Sequence, residues 1–219
     1  RQLLGGLAAT CAAGLITPAQ AAAPALSLAA SVLPPVLGPR MNFEQADKIM
    51  AELGLDAIVV GSGTNLYHAT GLDLTATKMG HTPGVYALIT RNPKQRLSLV
   101  APSFLYYYTI AMDHRHLDYP AYLYAGPGDQ MDDAEMSLDQ LPLYPDLDQA
   151  PLDFIETTRL SIIERAVRAE AARPNLKYAL ANALKDTGVA KGRIAADVPP
   201  VMRSVMDAAE QATVVIADD

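Results

Sequence analysis

The sequence predicts an α/β domain built on a mixed sheet, and three observations lead there. A helix–Gly–strand unit occurs twice, at 42–60 and at 175–197. Short β-branched runs alternate with amphipathic stretches at the intervals of layered α/β packing. Two of those runs, 85–90 and 96–101, flank Asn92-Pro93, a turn signal. A hairpin there makes the sheet mixed rather than purely parallel.

Asn42 is placed to cap a first helix, with Gln45 at the third helical position to reciprocate. Phe43, Ala46, Ile49, Met50 and Leu53 recur at helical spacing as its inward face, and Gly54 supplies a left-handed end. The apolar run 56–60, ending at Gly61, reads as a buried strand. Residues 62–84 form a long loop or short helix. After the hairpin, 104–112 reads as a helix following Pro102-Ser103, and 119–124 as a further strand. From Leu117 to Thr158 there is no Lys or Arg but ten acidic residues, so 126–153 reads as a solvated loop. The rival, a calcium loop, lacks its Asp-x-Asp-x-Asp-Gly spacing.

A long helix spans 155–171, with Ile155, Ile162, Ile163, Ala166 and Val167 inward, ending at Pro174. Asn175 caps another, with Leu176, Leu180, Ala183, Leu184 and Thr187 on one side and Gly188 closing it. A strand at 193–197, a helix around 201–209 after Pro199-Pro200, and a short β run at 213–217 complete the pattern.

Composition narrows the function. Half of the 219 residues are hydrophobic, enough for a sizeable core. The net charge of −7 repels phosphate backbones, which argues against nucleic acid as a partner. A single Cys, Cys11, leaves no intrachain disulfide and no Cys-rich zinc site.

The opening 21 residues have the form of an export signal: Arg1, an apolar stretch from Leu3 to Ile16, Pro18, and Ala19-Gln20-Ala21 as a small-residue cleavage site. Arg1-Gln-Leu-Leu resembles the second half of a twin-arginine signal. The expected location is therefore the periplasm, with no stable membrane span once the signal is cut. A lipid anchor on Cys11 is disfavoured by Thr10, where a small Ala, Gly or Ser is usual. Residues 22–40, rich in Ala and Pro with Pro34, Pro35 and Pro39, read as a tether or strap, and 41–219 as the domain.

Residue type and spacing disfavour several chemistries. His114 and His116 at i,i+2 share a face on a strand and form half of a metal site, but no third ligand is placed by motif. Gly61-Ser62-Gly63 lacks the Lys-Ser/Thr of a phosphate loop. Ser62 and Ser103 lack the G-x-S-x-G elbow of a serine hydrolase. Tyr106-Tyr107-Tyr108 suits core or interface packing more often than base stacking.

Two ordered stretches carry a resemblance. Gly54-Leu-Asp-Ala-Ile-Val-Val60 followed by Asn65-Leu-Tyr-His-Ala-Thr-Gly71 is one, and Leu184 through Gly188 and Ile194 to Asp197 is the other. They resemble the "gl-D-a-hhh", "N-hhY-hTG" and "L-x-x-x-G-h-x-x-x-x-I-h-h-E/D" passages of the N-terminal domain in the creatinase, prolidase and aminopeptidase P family. The likeness runs over roughly residues 40–219.

The resemblance implies a ribonuclease-H-like layer, a mixed sheet with helices on both faces. It implies a homodimer, and a peptide or small C–N substrate handled by a separate pita-bread catalytic domain. Manganese, cobalt or zinc ions on two Asp, one His and two Glu would sit in that domain, beyond Asp219, leaving this stretch without catalytic or metal-ligating residues. It further implies Tyr67, His68, Asp73 and His81 as candidates for substrate access. The alternative is a free-standing periplasmic binding or scaffold domain. The plainer reading of Asn65, Thr70 and Gly71 is that they fix a turn, with Tyr67 packed inside.

Overall fold

The computed structural model describes residues 38–74, 84–111, 117–126, 132–142 and 152–217. The export signal, most of the strap, His81, His114 and His116 lie outside the described residues, as do 127–131 and 143–151 of the acidic stretch.

Six strands form one sheet: β1 (Ala57–Val60), β2 (Tyr86–Thr90), β3 (Leu97–Pro102), β4 (Ala121–Tyr124), β5 (Arg193–Ala196) and β6 (Thr213–Ile216). Their order is β4-β3-β2-β1-β5-β6. β2 pairs antiparallel with both neighbours, Ala57 opposite Thr90 and Tyr86 opposite Val100, and the other pairings are parallel. β2 therefore runs against the other five strands. The mixed sheet and its hairpin agree with the sequence expectation. Thr90 holds the hairpin turn: its Oγ1 donates to the Gln95 carbonyl (2.7 Å) and accepts from the Asn92 amide (3.2 Å).

Alternation along each strand feeds two apolar layers. Leu97, Leu99 and Ala101 of β3, with Ala87 and Ile89 of β2, join helices α1 (Phe43–Glu52), α2 (Gly63–Thr70) and α4 (Phe154–Ala169) on one face. Ala57 and Val59 of β1, Leu88, Val100 and Ile194 join α5 (Leu176–Asp186) and α6 (Pro199–Ala208) on the other. Helices thus cover both faces, as the resemblance implied. A buried strand with apolar residues on both faces is the pattern that the continuous run at 57–60 signalled.

The caps form as read, except that the Gln45 side chain does not reciprocate to Asn42. Asn42 Oδ1 accepts the Gln45 amide (3.1 Å) and Asn175 Oδ1 the Tyr178 amide (3.3 Å). Gly54 and Gly188 take φ of 63° and 81°, the left-handed values a C-terminal stop requires.

Several details differ from the sequence expectation. On α1, only Ala46 and Met50 are buried, while Ile49 and Leu53 stay 41% and 57% exposed. The apolar stripe is wider than the surface it meets. Ile155 is exposed as well, because α4 begins at Phe154 and its first turn projects beyond the core. After β3, a single α turn (α3, Ser103–Leu105) opens into a π turn, Tyr106–Ile110, rather than a regular helix. α4 stops at Ala169, well before Pro174, because the chain is drawn against the edge of β4. There Arg173 N donates to the Leu123 carbonyl (2.8 Å) and Ala125 N to the Arg173 carbonyl (2.9 Å). Pro199 and Pro200 lie inside α6 at its first positions, where a missing N–H costs nothing.

The described part of the acidic stretch is more than a solvated loop. Met136 bridges Ala172, Leu141 is buried, and Asp133 pairs with Arg173 at 3.1 Å. The stretch thus backs the segment around Arg173, which itself lies along the β4 edge and blocks edge-to-edge pairing there.

Candidate functional site

The residues that carried the resemblance meet at the two ends of the β1–β5 pair. β1 and β5 are parallel neighbours. The chain leaves β1 for α2 on one face and leaves β5 for α6 on the other. That divergence is a topological switch point, and ligands of open α/β sheets bind in the crevice outside the carboxyl ends of such strands.

Here the crevice is filled from within. Asp197 directly follows β5, and its carboxylate accepts from the Gly61 amide (3.1 Å to each oxygen), the Ser62 amide (2.8 Å) and Asn65 Nδ2 (3.2 Å). Gly61 and Ser62 lead into α2 and Asn65 lies in its first turn, with Ser62 capping the helix by accepting the Asn65 amide at 3.4 Å. N–H groups without an intrahelical partner and the helix dipole favour an anion at such a terminus, and Asp197 supplies it. The amides of Gly61 and Ser62 therefore already have an acceptor, the place a phosphate would take in a phosphate loop.

The opposite end is pinned the same way. Asp56 Oδ2 accepts the Arg193 amide (2.8 Å), and Asp56 N donates to the Arg193 carbonyl (2.8 Å). A Cβ at Gly192 would lie 2.6 Å from Asp56 Oδ2, so only glycine admits the carboxylate. One Asp before β1 and one after β5 thus hold the two central parallel strands in register.

Thr70 and Gly71 form the turn after α2. Thr70 Oγ1 donates to the Leu66 carbonyl (2.6 Å) and accepts from Leu72 N (3.0 Å), while Gly71 takes φ of 79°. The plainer reading of these two residues therefore holds. Tyr67 differs from it: the ring is half-buried rather than inside, with the Arg40 guanidinium 4.9 Å from its centroid. Arg40 N also donates to the His68 carbonyl (2.9 Å).

Of the four access candidates, Tyr67 and His68 are brought together, edge to face at 5.8 Å. His68 and Asp73 are both exposed. Arg40 was not among the candidates read from sequence. Its partnership with Tyr67 spans 27 positions and leaves no periodic signal.

A second polar cluster lies under α5. Gln95 Nε2 donates to Ser98 Oγ and to the Tyr122 hydroxyl, both at 2.9 Å. Burial pushes the Tyr122 phenol up; the Gln95 bond lowers it, and the Glu170 and Asp186 carboxylates raise it further. Glu170 is itself raised, first by burial and then by Asp186, with Arg173 opposing. Its folded pKa thus exceeds its unfolded one. The stability it contributes is full below the ordinary value of 4.5 and is lost as pH rises through the raised value. Glu170→Gln should melt up to about 2 °C higher at neutral pH, the modest scale of a largely solvated group, and should flatten the decline above pH 4.5. Melting curves from pH 4 to 8 check this.

Among the described residues, no group of three or more His, Cys, Asp and Glu is placed to hold a metal ion, and no helix is long and apolar enough to cross a membrane.

No family model and no curated protein matches the sequence. Among solved structures it is similar to a dipeptidase from Pyrococcus horikoshii OT3, at 17% identity and a TM-score of 0.44, over 81% of this chain and 33% of that one. It is also similar to an Xaa-Pro aminopeptidase from Streptococcus pyogenes, at 13% identity and a TM-score of 0.40, over 80% of this chain and 88% of that one. The 219 residues span about a third of the dipeptidase's length, and neither likeness assigns a role to any of them.

Proposed function

We propose that residues 41–219 are the N-terminal, non-catalytic layer of an exported Xaa-Pro-type metallopeptidase of the creatinase, prolidase and aminopeptidase P group. The observation that carries this reading is the convergence of the resembling stretches. Asp56 meets Arg193 and Asn65 meets Asp197, across more than 130 positions each. Residues shared with a family by accident have no reason to be partners in space.

In this reading the layer serves dimerisation and substrate access, and the exposed His68 and Asp73, with Tyr67, face the entrance to a catalytic cleft. Hydrolysis belongs to polypeptide outside these 219 residues, where bound manganese, cobalt or zinc would activate water. The test is to produce both the 219-residue protein and the longest open reading frame that contains it. Xaa-Pro cleavage with added manganese, cobalt or zinc is expected only from the longer protein. Cleavage by the 219-residue protein alone would overturn the division of labour.

A further inference from the structure

The two edges of the sheet differ. The β4 edge carries the Arg173 segment, whereas no further strand lies beside β6 among the described residues. Thr213 N donates to the Gly192 carbonyl (3.0 Å) and Ala217 N to the Ala196 carbonyl (2.9 Å), so Thr213, Val215 and Ala217 turn their backbone groups toward β5. Backbone direction alternates along a strand, so the N–H and C=O groups of Val214 and Ile216 point outward, where no described residue meets them. Native sheet edges are blunted by a charge, a proline or a bulge. The run Ala212-Thr-Val-Val-Ile-Ala217 has no charge and no proline, and its pairing with β5 is unbroken.

The surface beside this edge is apolar. α6 lies over β5 and β6. The bond between the Tyr86 hydroxyl and Ser204 Oγ (3.0 Å) turns the Ser204 flank of α6 toward β2. At about 100° per residue, Met202 and Met206 fall on the opposite flank, toward the open edge. Met206 is 50% exposed, and Ile216, on the same face of the sheet as α6, is 37% exposed.

Two-fold symmetry satisfies these groups together. A second β6, laid antiparallel about an axis through Val215, sets Val214 opposite the partner's Ile216 and Ile216 opposite the partner's Val214. Both become hydrogen-bonded pairs, so each outward group of the strand gains a partner. Strands stand ~4.8 Å apart, which brings the two copies of α6 to about 10 Å, the spacing of packed helices. The two helices run antiparallel and meet along Met202 and Met206. Arg203 and Asp207 are exposed, and neither is ion-paired within the chain, with the other or with any described residue. Antiparallel packing sets each beside its opposite charge on the partner. A foreign strand would supply the hydrogen bonds but neither the helix nor these charges.

We propose that β6 and α6 form the contact between two copies of this chain, joining their sheets into one. This rests on the dimerising role proposed above and gives that role its surface.

The experiment is sedimentation equilibrium of the full 219-residue protein. A reversible dimer is expected, with a dissociation constant on the order of 10 µM, the scale of a small interface. Met206→Glu, at an exposed position, should weaken it about tenfold or more with the melting temperature unchanged. Ile216→Pro removes an outward-facing donor, which an edge strand tolerates, and should weaken it about tenfold. Asp207→Arg should weaken it about tenfold by opposing like charges, and adding Arg203→Asp should restore the affinity. A dimer indifferent to Met206→Glu and Ile216→Pro would overturn this surface and leave dimerisation standing. A protein still monomeric at about 0.5 mM would overturn the surface and the dimerising role together. Open-ended association, or an Asp207→Arg defect that Arg203→Asp does not repair, would overturn the two-fold pairing. Capture of an Ala-Thr-Val-Val-Ile-Ala peptide by a protein that stays monomeric would assign the edge to a foreign strand and overturn it as well. Xaa-Pro cleavage by the longer protein stands or falls apart from all of these outcomes.

Discussion

Asp197→Ala is expected to destabilise the protein by about 3 kcal/mol, from the loss of an ionised acceptor that serves several donors. Two backbone amides, of Gly61 and Ser62, and the Asn65 side chain lose their acceptor at once. Gly61 is buried, so water replaces the carboxylate poorly there. The helix dipole of α2 also loses its balancing charge. Asp197→Asn keeps one oxygen and should recover about half of the loss, since a neutral acceptor bond is roughly half as strong as a charged one. Urea denaturation reads both. An unchanged slope with a lowered midpoint identifies a stability change rather than an altered unfolded state.

Gly61→Val is expected to cost about 3 kcal/mol or more, at the upper end for overpacking a well-packed site. A Cβ at this position would lie 2.7 Å from Val201 Cγ2 and 2.8 Å from Tyr86 Cδ1. Neither neighbour yields easily. Val201 is buried on α6, and the Tyr86 ring is tethered by its hydroxyl to Ser204 Oγ at 3.0 Å. Moving α6 aside would strain the β5–α6–β6 crossover. Gly61→Ala tests the same contact with a smaller load, about 1–2 kcal/mol. Gly61 is thus constrained on two sides, by Asp197 through its amide and by α6 through its missing side chain.

The sequence made the elements legible where local chemistry decides them. Asn42 and Asn175 cap helices because a short side-chain oxygen reaches the third amide along, a relation within three residues. Gly54 and Gly188 end them because the left-handed turn needs no Cβ. The hairpin was legible from Asn92-Pro93 between two apolar runs. What stayed hidden depends on distant neighbours. Ile49, Leu53 and Ile155 fit a helical stripe, but the stripe does not say how much surface faces it. The π turn at Tyr106–Ile110 differs from an α turn by one residue per turn, too little to detect over five residues. Asp56 and Asp197 stood in the resembling stretches as letters. Their work as acceptors became visible only when residues some 135 positions apart were placed side by side.

If these shared residues clamp β1 to β5 rather than form a reactive site, Asn65 and Asp197 must act as a pair. A double-mutant cycle on Asn65→Ala and Asp197→Ala, read by urea denaturation, measures this. The two changes should be coupled by about 1 kcal/mol, because removing either one already breaks the Asn65–Asp197 bond. Effects that add to within about 0.3 kcal/mol would show that the two side chains do not act together, and would contradict the clamp.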